Sequence, residues 1–390
     1  MRFVPLRYPL RSLVVRLGPT LFAALGIGLT VAVLAGVLAL REGFTSMLAG
    51  HGRDDVAIYL RPGALSEGES LVRFPDDVRI IESRPEIALD EKGLPIAAAE
   101  SYLGVKLQKA DGSGSALVPV RGVEETSFRL QERELRIVTG RRPKLLADEV
   151  IVGAAVSRRM KGCRLGDTIF FNTTPFQVVG IFEHDGGYGS EIWAGVERVI
   201  EATRRAFRQR VVAQLKPGVD LAALSEALKK DKRLPVEVRS ERAYFEAQTS
   251  ANSTLLSVLA TILTSLMGAA AVLGALNTML AAVGGRTREV GILVTLGYRR
   301  FPVFVSFLIE AAAIGLIGGA LGCLLVLPLN GIETSTTNWN TFTEAAFAFR
   351  VTLPLLGRSL LVAVVLGLLG GTIPAWRASR LLPTAALRRL

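Results

Sequence analysis

The 390-residue sequence predicts an α-helical membrane protein: four transmembrane helices, with an α+β extracytoplasmic domain inserted between helices 1 and 2. Three observations carry this fold class. Four windows, roughly 20–40, 253–283, 303–329 and 353–373, are long, apolar and nearly free of charge, and about 20 apolar residues suffice to cross a ~30 Å hydrocarbon core. Half of the chain is hydrophobic while 21% is charged, a mixture that a uniform soluble domain does not show. Residues 41–250 hold 32 Lys+Arg against 31 Asp+Glu, the near-neutral balance of a water-soluble domain.

The chain divides accordingly. Residues 1–19 form a cytoplasmic or interfacial segment, with arginines at 2, 7, 11 and 16 among apolar residues. Their stems can snorkel to the headgroups, although Pro5 and Pro9 argue against one unbroken helix. A merely positive topogenic flank fits the same residues. Transmembrane helix 1 covers 20–40. A cleaved signal peptide is the competing reading, but this apolar region exceeds a 7–15-residue signal core, and Arg41-Glu-Gly-Phe44 offers no small-x-small exit.

The inserted domain, 41–250, reads as mixed α and β. Thr168–Phe171 and Phe176–Phe182 are β-rich runs joined through Asn172-Thr-Thr-Pro175, a hairpin signal. Val211–Leu215 reads as strand, Lys216–Asp220 as turn, Leu221–Lys230 as helix and Pro235–Arg239 as strand again. That succession suggests a small two-layer unit of the ferredoxin-like kind. From Tyr244 no clear breaker appears before Gly268, so helix 2 (251–283) is expected to begin as a stalk. A cytoplasmic segment (284–300), helix 3 (301–329), an outer loop (330–352), helix 4 (353–375) and a cytoplasmic C-terminal segment (376–390) follow.

Topology comes from the charges. Nearly all of the net charge of +11 resides outside the inserted domain, where 14 arginines meet only Glu289, Glu310, Glu333 and Glu344. Twelve of those arginines precede helix 1, lie between helices 2 and 3, or follow helix 4. By the positive-inside rule both termini and the 284–300 segment are cytoplasmic, with 41–250 and 330–352 on the far side. No basic patch survives this accounting, which sets nucleic-acid binding aside.

The 284–300 segment is the most informative part. Gly284-Gly285 breaks helix 2, and Val290, Leu293 and Val294 share a helical face by their i, i+3, i+4 spacing. Gly297 can supply a left-handed residue that ends the helix. Arg286, Arg288 and Glu289 remain for the groove of another protein, and Gly291 sits among them. Charge alone favours a solvated loop; charge, periodicity and position together favour a short helix gripped by a partner. Glu310 is the lone acid within the spans, about 13 Å along helix 3. An intramembrane ionisable group is a functional candidate by default, and pairing with an arginine of this segment or of the C-terminal segment is favoured over proton transfer. Arg358 lies near the outer end of helix 4, within snorkelling reach.

Small residues recur at Gly28, Ala32 and Gly36, and at Gly315, Gly319 and Gly322, faces suited to close packing within or between protomers. Cys163 and Cys323 fall in different parts of the chain and are not expected to pair. No enzyme site emerges: of the two histidines, His51 and His184, only Glu183-His184-Asp185 approaches a ligand cluster. Its neighbour Gly186-Gly187-Tyr188-Gly189 suggests a flexible exposed loop rather than a metal site.

Ala275-Leu-Asn-Thr-Met279, Arg286-Thr-Arg-Glu-Val-Gly-Ile-Leu293 and Leu296-Gly297 resemble the FtsX-like permease domain of ABC transporters. Phe307-Leu-Ile-Glu310 and the closing Pro374–Pro383 and Ala386-Leu-Arg388 pattern agree with it. The outer domain is similar to the MacB-type extracytoplasmic domain at Val120–Val123, Thr139–Arg141, Glu149–Gly153, Leu165–Asp167 and Phe176–Gly180. The resemblance spans nearly the whole chain. It implies a permease subunit of a mechanotransmission-type ABC system, in which Arg286, Arg288, Glu289, Val290, Gly291, Leu293 and Gly297 couple to an ATPase. It also implies a second permease copy or paralogue and contact with membrane lipids, with a periplasmic adaptor or outer-membrane partner as a further candidate. The sequence holds no Gly-x-x-x-x-Gly-Lys-Ser/Thr loop, so a separate ATPase subunit is expected to bind the ATP and Mg, with no cofactor on this chain. Export or extraction of an amphiphile (a lipid, lipoprotein or hydrophobic peptide) is the leading expectation. The alternatives are a non-transporting regulator of a cell-wall hydrolase and a membrane receptor or scaffold without an ATPase.

Overall fold

The structure, a computed structural model, describes residues 15, 17–48, 52–204, 207–231, 233–295, 298–338 and 343–380. The chain opens with α1 (Leu17–Leu48), β1 (Val56–Leu60), α2 (Asp76–Glu82), β2 (Ala97–Gln108), β3 (Ser115–Val123), α3 (Glu125–Leu130), β4 (Leu135–Gly140) and β5 (Glu149–Gly153). Next come α4 (Ala154–Arg159), β6 (Thr168–Phe171), β7 (Thr174–His184), β8 (Ile192–Gly195), α5 (Val196–Thr203), β9 (Arg210–Gln214), α6 (Leu221–Lys230) and β10 (Glu237–Ser240). It closes with α7 (Glu241–Gly284), α8 (Thr287–Thr295), α9 (Arg300–Val326), β11 (Glu333–Asn338), β12 (Thr343–Ala348) and α10 (Leu353–Ser379).

Two compact units result: a helical one from residues 1–43, 254–332 and 348–390, and an α+β one from 44–253 and 333–347. Among the described residues, four segments are long and apolar enough to span a membrane: Leu17–Ser46, Ser253–Gly284, Arg300–Leu329 and Leu353–Ser379. Helices α9 and α10 make its tightest pair, because glycines replace side chains at the crossing. A Cβ on Gly367 would stand 2.6 Å from the Ala311 carbonyl oxygen and 2.9 Å from the Gly315 Cα. Without a hydrophobic drive between helices in lipid, this backbone approach supplies the packing. The small-residue face of α1 is used inside the protomer: a Cβ on Gly322 would lie 2.5 Å from the Gly28 oxygen, and one on Gly28 2.9 Å from the Gly318 oxygen.

The α+β unit contains one ten-stranded sheet, ordered β10-β1-β9-β2-β3-β8-β5-β7-β4, with β6 on β7. Its first four strands are mutually antiparallel, and α2 and α6 cross over between them. Val78 and Ile81 of α2 and Leu224 and Leu228 of α6 close one core with Ala57, Tyr59, Ala99, Val211 and Val238. The ferredoxin-like expectation therefore describes this half, and the β6–β7 hairpin forms as the sequence suggests. The second half is an insertion between β2 and β9, with its own core around Val120, Val152, Phe171, Phe176 and Val199. Strand β2 belongs to both halves: Ala97–Glu100 pair with β9, and Ser101–Gln108 pair with β3.

Two expectations need revision. Residues 330–352, read as an outer loop, contain the two-stranded β11–β12 sheet, which belongs to the α+β unit. Tyr102 meets Thr343 through their hydroxyls at 3.1 Å, the Ser190 hydroxyl accepts from Ala346 N at 3.1 Å, and Phe44 packs edge-on against Phe347 at 5.3 Å. The 183–189 stretch is not a flexible exposed loop. The His184 side chain is 1% exposed, its Nδ1 accepts the Gly186 N–H at 2.8 Å, and Tyr188 is buried in a short 3₁₀ turn. The close approach there shows at Gly153, where a Cβ would lie 2.2 Å from the Gly189 carbonyl oxygen. Among the described residues no group of His, Cys, Asp and Glu could hold a metal ion, and both cysteines are free.

Candidate coupling site

The charged segment after α7 folds as the helix α8. Val290 is fully buried in the helical core with Met279, Val303, Phe307, Ala375 and Ala378, and Gly291 is buried beside it. Arg288, Glu289, Ile292 and Thr295 are exposed and recur at helical spacing on the opposite side. Ile292, 45% exposed, is an apolar knob on that outward face which the sequence reading passed over. Val294 is half-buried. The side chain of Leu293, together with Leu296, Gly297, the N-terminal arginines and the 381–390 motif, lies outside the described residues.

Arg286 differs from expectation. The sequence reading leaves it available to a partner, whereas the structure buries it at 5% exposure. Its Nη1 donates to Glu310 Oε2 at 3.0 Å and its Nη2 to Glu310 Oε1 at 3.4 Å. Two apolar helices flank this position, so a guanidinium facing inward requires a counter-charge. Glu310 of α9 supplies it with a forked geometry. Arg286 thus anchors α8 to α9, and the outward face begins at Arg288. At the end of α10 the Arg380 guanidinium lies 4.2 Å above the Trp376 ring, and Trp376 is 49% exposed. Such an aromatic–cation pair suits the level of the headgroups.

A second polar cluster, absent from the sequence reading, lies in the α+β unit where β2 passes from β9 to β3. Glu100 and Tyr102 project from one face of β2 by strand alternation. Opposite them stand Arg210 on β9 and Arg121 on β3. Arg121 donates through Nε and Nη2 to Glu191 at 2.7 Å each and through Nη1 to Glu67 at 2.7 Å and Glu100 at 3.1 Å. Arg210 donates to Glu67 at 2.7 Å and Glu100 at 2.8 Å. Both arginine side chains are 2% exposed. Burial pushes the Glu67 carboxyl up, but Arg121 and Arg210 outweigh it and hold the group below the usual carboxylate range. Burial likewise opposes the Arg121 charge, and Glu191 and Glu67 overcome it, raising its pKa. The signal available in the sequence was an arginine inside each of two apolar strands, Val118-Pro-Val-Arg121-Gly-Val and Arg210-Val-Val-Ala213. Which carboxylates answer them depends on long-range pairing.

Residues 20–231 match the family profile described as MacB-like periplasmic core domain, and residues 253–383 match the FtsX-like permease C-terminal profile. The macrolide export ATP-binding/permease protein MacB of Pasteurella multocida (strain Pm70) is 27% identical over 94% of this chain and 57% of its own length. The pyoverdine export ATP-binding/permease protein PvdT of Pseudomonas savastanoi pv. phaseolicola is 26% identical over 61% of this chain and 37% of its own. The chain therefore spans little more than half the length of the MacB relative. Among solved structures, the periplasmic region of MacB from Actinobacillus actinomycetemcomitans aligns at TM-score 0.36 with 14% identity, covering 48% of this chain and 90% of that one.

Proposed function

The chain belongs to the MacB-like periplasmic core domain family and carries an FtsX-like permease C-terminal region, and from that premise we propose that it is the permease subunit of a mechanotransmission-type ABC transporter. An ATPase on a partner chain, binding ATP and Mg, docks on α8 from the cytoplasm, and its stroke moves the outer domain. The observation that carries this reading is the two-sidedness of α8. Val290, Gly291 and the Arg286–Glu310 pair root it in the helical unit, while Arg288, Glu289 and Ile292 face outward. A purely topogenic loop would need charges and no rooted face. The distribution of arginines supports cytoplasmic termini and an outer position for the α+β unit. A second permease copy or paralogue completes the proposed assembly. The relatives' names speak of macrolide and pyoverdine export, which favours export over control of a cell-wall hydrolase, with an amphiphile as the proposed substrate.

The test is accessibility of α8. Single cysteines at Arg288 or Ile292, in a chain with Cys163 and Cys323 replaced, should react with a membrane-impermeant maleimide only after permeabilisation, and the co-expressed ATPase should protect them. Glu289→Lys or Gly291→Trp should leave insertion intact while uncoupling ATP hydrolysis from export. Labelling in intact cells, or full activity in both variants, would remove the assignment.

A further inference from the structure

The helix that becomes the second span begins inside the buried charge cluster. Glu241 is the first residue of α7 and is 1% exposed. Its Oε1 accepts from the Tyr188 hydroxyl and from Gln131 Nε2, each at 2.9 Å, and its Oε2 accepts the Arg53 backbone N–H at 3.2 Å. One turn later the Tyr244 hydroxyl accepts from Glu67 N and donates to Glu67 Oε1, both at 3.3 Å. The Tyr188 hydroxyl also accepts from Arg210 Nη2 at 3.0 Å. Phe245 packs edge-on to the Tyr188 ring at 5.5 Å, and Gln248 is buried one turn further. The face Glu241, Tyr244, Phe245, Gln248 is thus held by residues of both sheet halves: Glu67 and the Arg53 backbone from the first, Gln131 and Tyr188 from the second.

We propose that Glu241, Tyr188 and Tyr244 are positioning residues of a joint that fixes the first turns of α7 to both halves of the outer domain, so that the helix cannot rotate or slide without moving the sheet. The significance for transport rests on the reading of the chain as a permease driven from its α8 face; the joint itself does not. Three features separate it from ordinary core packing. Its bonds are directional and charge-assisted, which fixes register in a way that apolar contacts do not. They converge on the first turn of one helix, where a carboxylate also suits the helix dipole. Burying so many ions stabilises a fold little by comparison with apolar packing, so such clusters persist where a unique arrangement matters.

Tyr188→Phe keeps the ring against Phe245 and Trp193 but removes the hydroxyl that links Arg210 to Glu241. Arg210 retains its Glu100 contact at 2.6 Å, so no guanidinium is stranded. Hydrogen exchange of the full chain in detergent, without nucleotide or ATPase, reads the joint directly. Amides of residues 243–248 should exchange about tenfold faster in Tyr188→Phe, while those of β5 and β8 keep their protection. Glu241→Gln should act at the same amides. Unchanged exchange at 243–248 in both variants overturns the proposal. Equal acceleration in β5 and β8 also overturns it, because the residues then hold the core as a whole rather than the helix. A failed α8 labelling experiment would leave this outcome untouched.

Discussion

Neutralising Glu310 is the sharpest perturbation of the membrane unit. Glu310→Gln preserves shape but leaves the Arg286 guanidinium facing an amide, in a site where both side chains of the native pair are 6% exposed. An exposed ion pair contributes at most about 1 kcal/mol. A buried one behaves differently, because removing one partner strands the other charge away from water. The bonds at 3.0 and 3.4 Å place this pair in the second class, with an expected loss of about 3–5 kcal/mol. For a chain of this size that corresponds to a fall in melting temperature of roughly 4–6 °C.

The assay is thermal unfolding of the full chain in detergent, alongside Arg286→Met and the exchange Arg286→Glu with Glu310→Arg. Each single variant should melt several degrees below the native protein, and the exchange should recover part of the loss. Arg286→Lys should recover less than its charge suggests, since an ammonium lacks the planar fork. If Glu310→Gln melts within about 2 °C of the native protein, as expected for a solvated pair, then α8 is not rooted through this contact and the two-sided reading of the helix loses its support.

Two further outcomes test other parts of the fold. Burial pushes the Glu124 carboxyl, which also accepts from the Ala99 N–H, up to about 7. The folded chain keeps this proton where the unfolded chain has lost it, so stability should fall as pH rises from about 4.5 to 7 and then level off, by up to about 3 kcal/mol. Glu124→Gln should match the native protein near pH 4 and exceed it at pH 8; parallel denaturation midpoints across that range would contradict this. Gly367→Val should lower the melting temperature sharply, because its Cβ would meet backbone atoms of α9 that cannot yield. Gly357→Ala, with open space around it, should be nearly neutral.

What the sequence made legible follows from the range of the interactions involved. Hydrophobic length and arginine placement are local, so the four spans and the near-neutral insertion could be read directly. The β6–β7 hairpin and the β9-α6-β10 succession were readable for the same reason. Contacts between distant residues were not. Glu67, Glu100 and Glu191 are ordinary charged residues until the sheet brings them to Arg121 and Arg210. The role of Arg286 illustrates the intermediate case. Its pairing with Glu310 was among the options the residues left open, but a linear reading could not decide whether that arginine faces a partner or the core. His184 misled because glycines signal both mobility and close approach, and only packing distinguishes them.

The two buried ionic sites take on a common meaning when placed along α7. The helix runs for 44 residues, about 66 Å at 1.5 Å per residue. Its first residue is held by Tyr188, Gln131 and the Arg53 amide, and Arg286, two residues past its end, is held by Glu310. Between these ends the apolar window of Ser253–Gly284 is only 17% buried, against 33–44% for the other three spans. On the proposed permease reading, directional contacts near both ends of α7, hydrogen bonds to the Glu241 carboxylate at one and the Arg286–Glu310 ion pair just past the other, fit a helix that carries motion better than one that only anchors the domain in the bilayer.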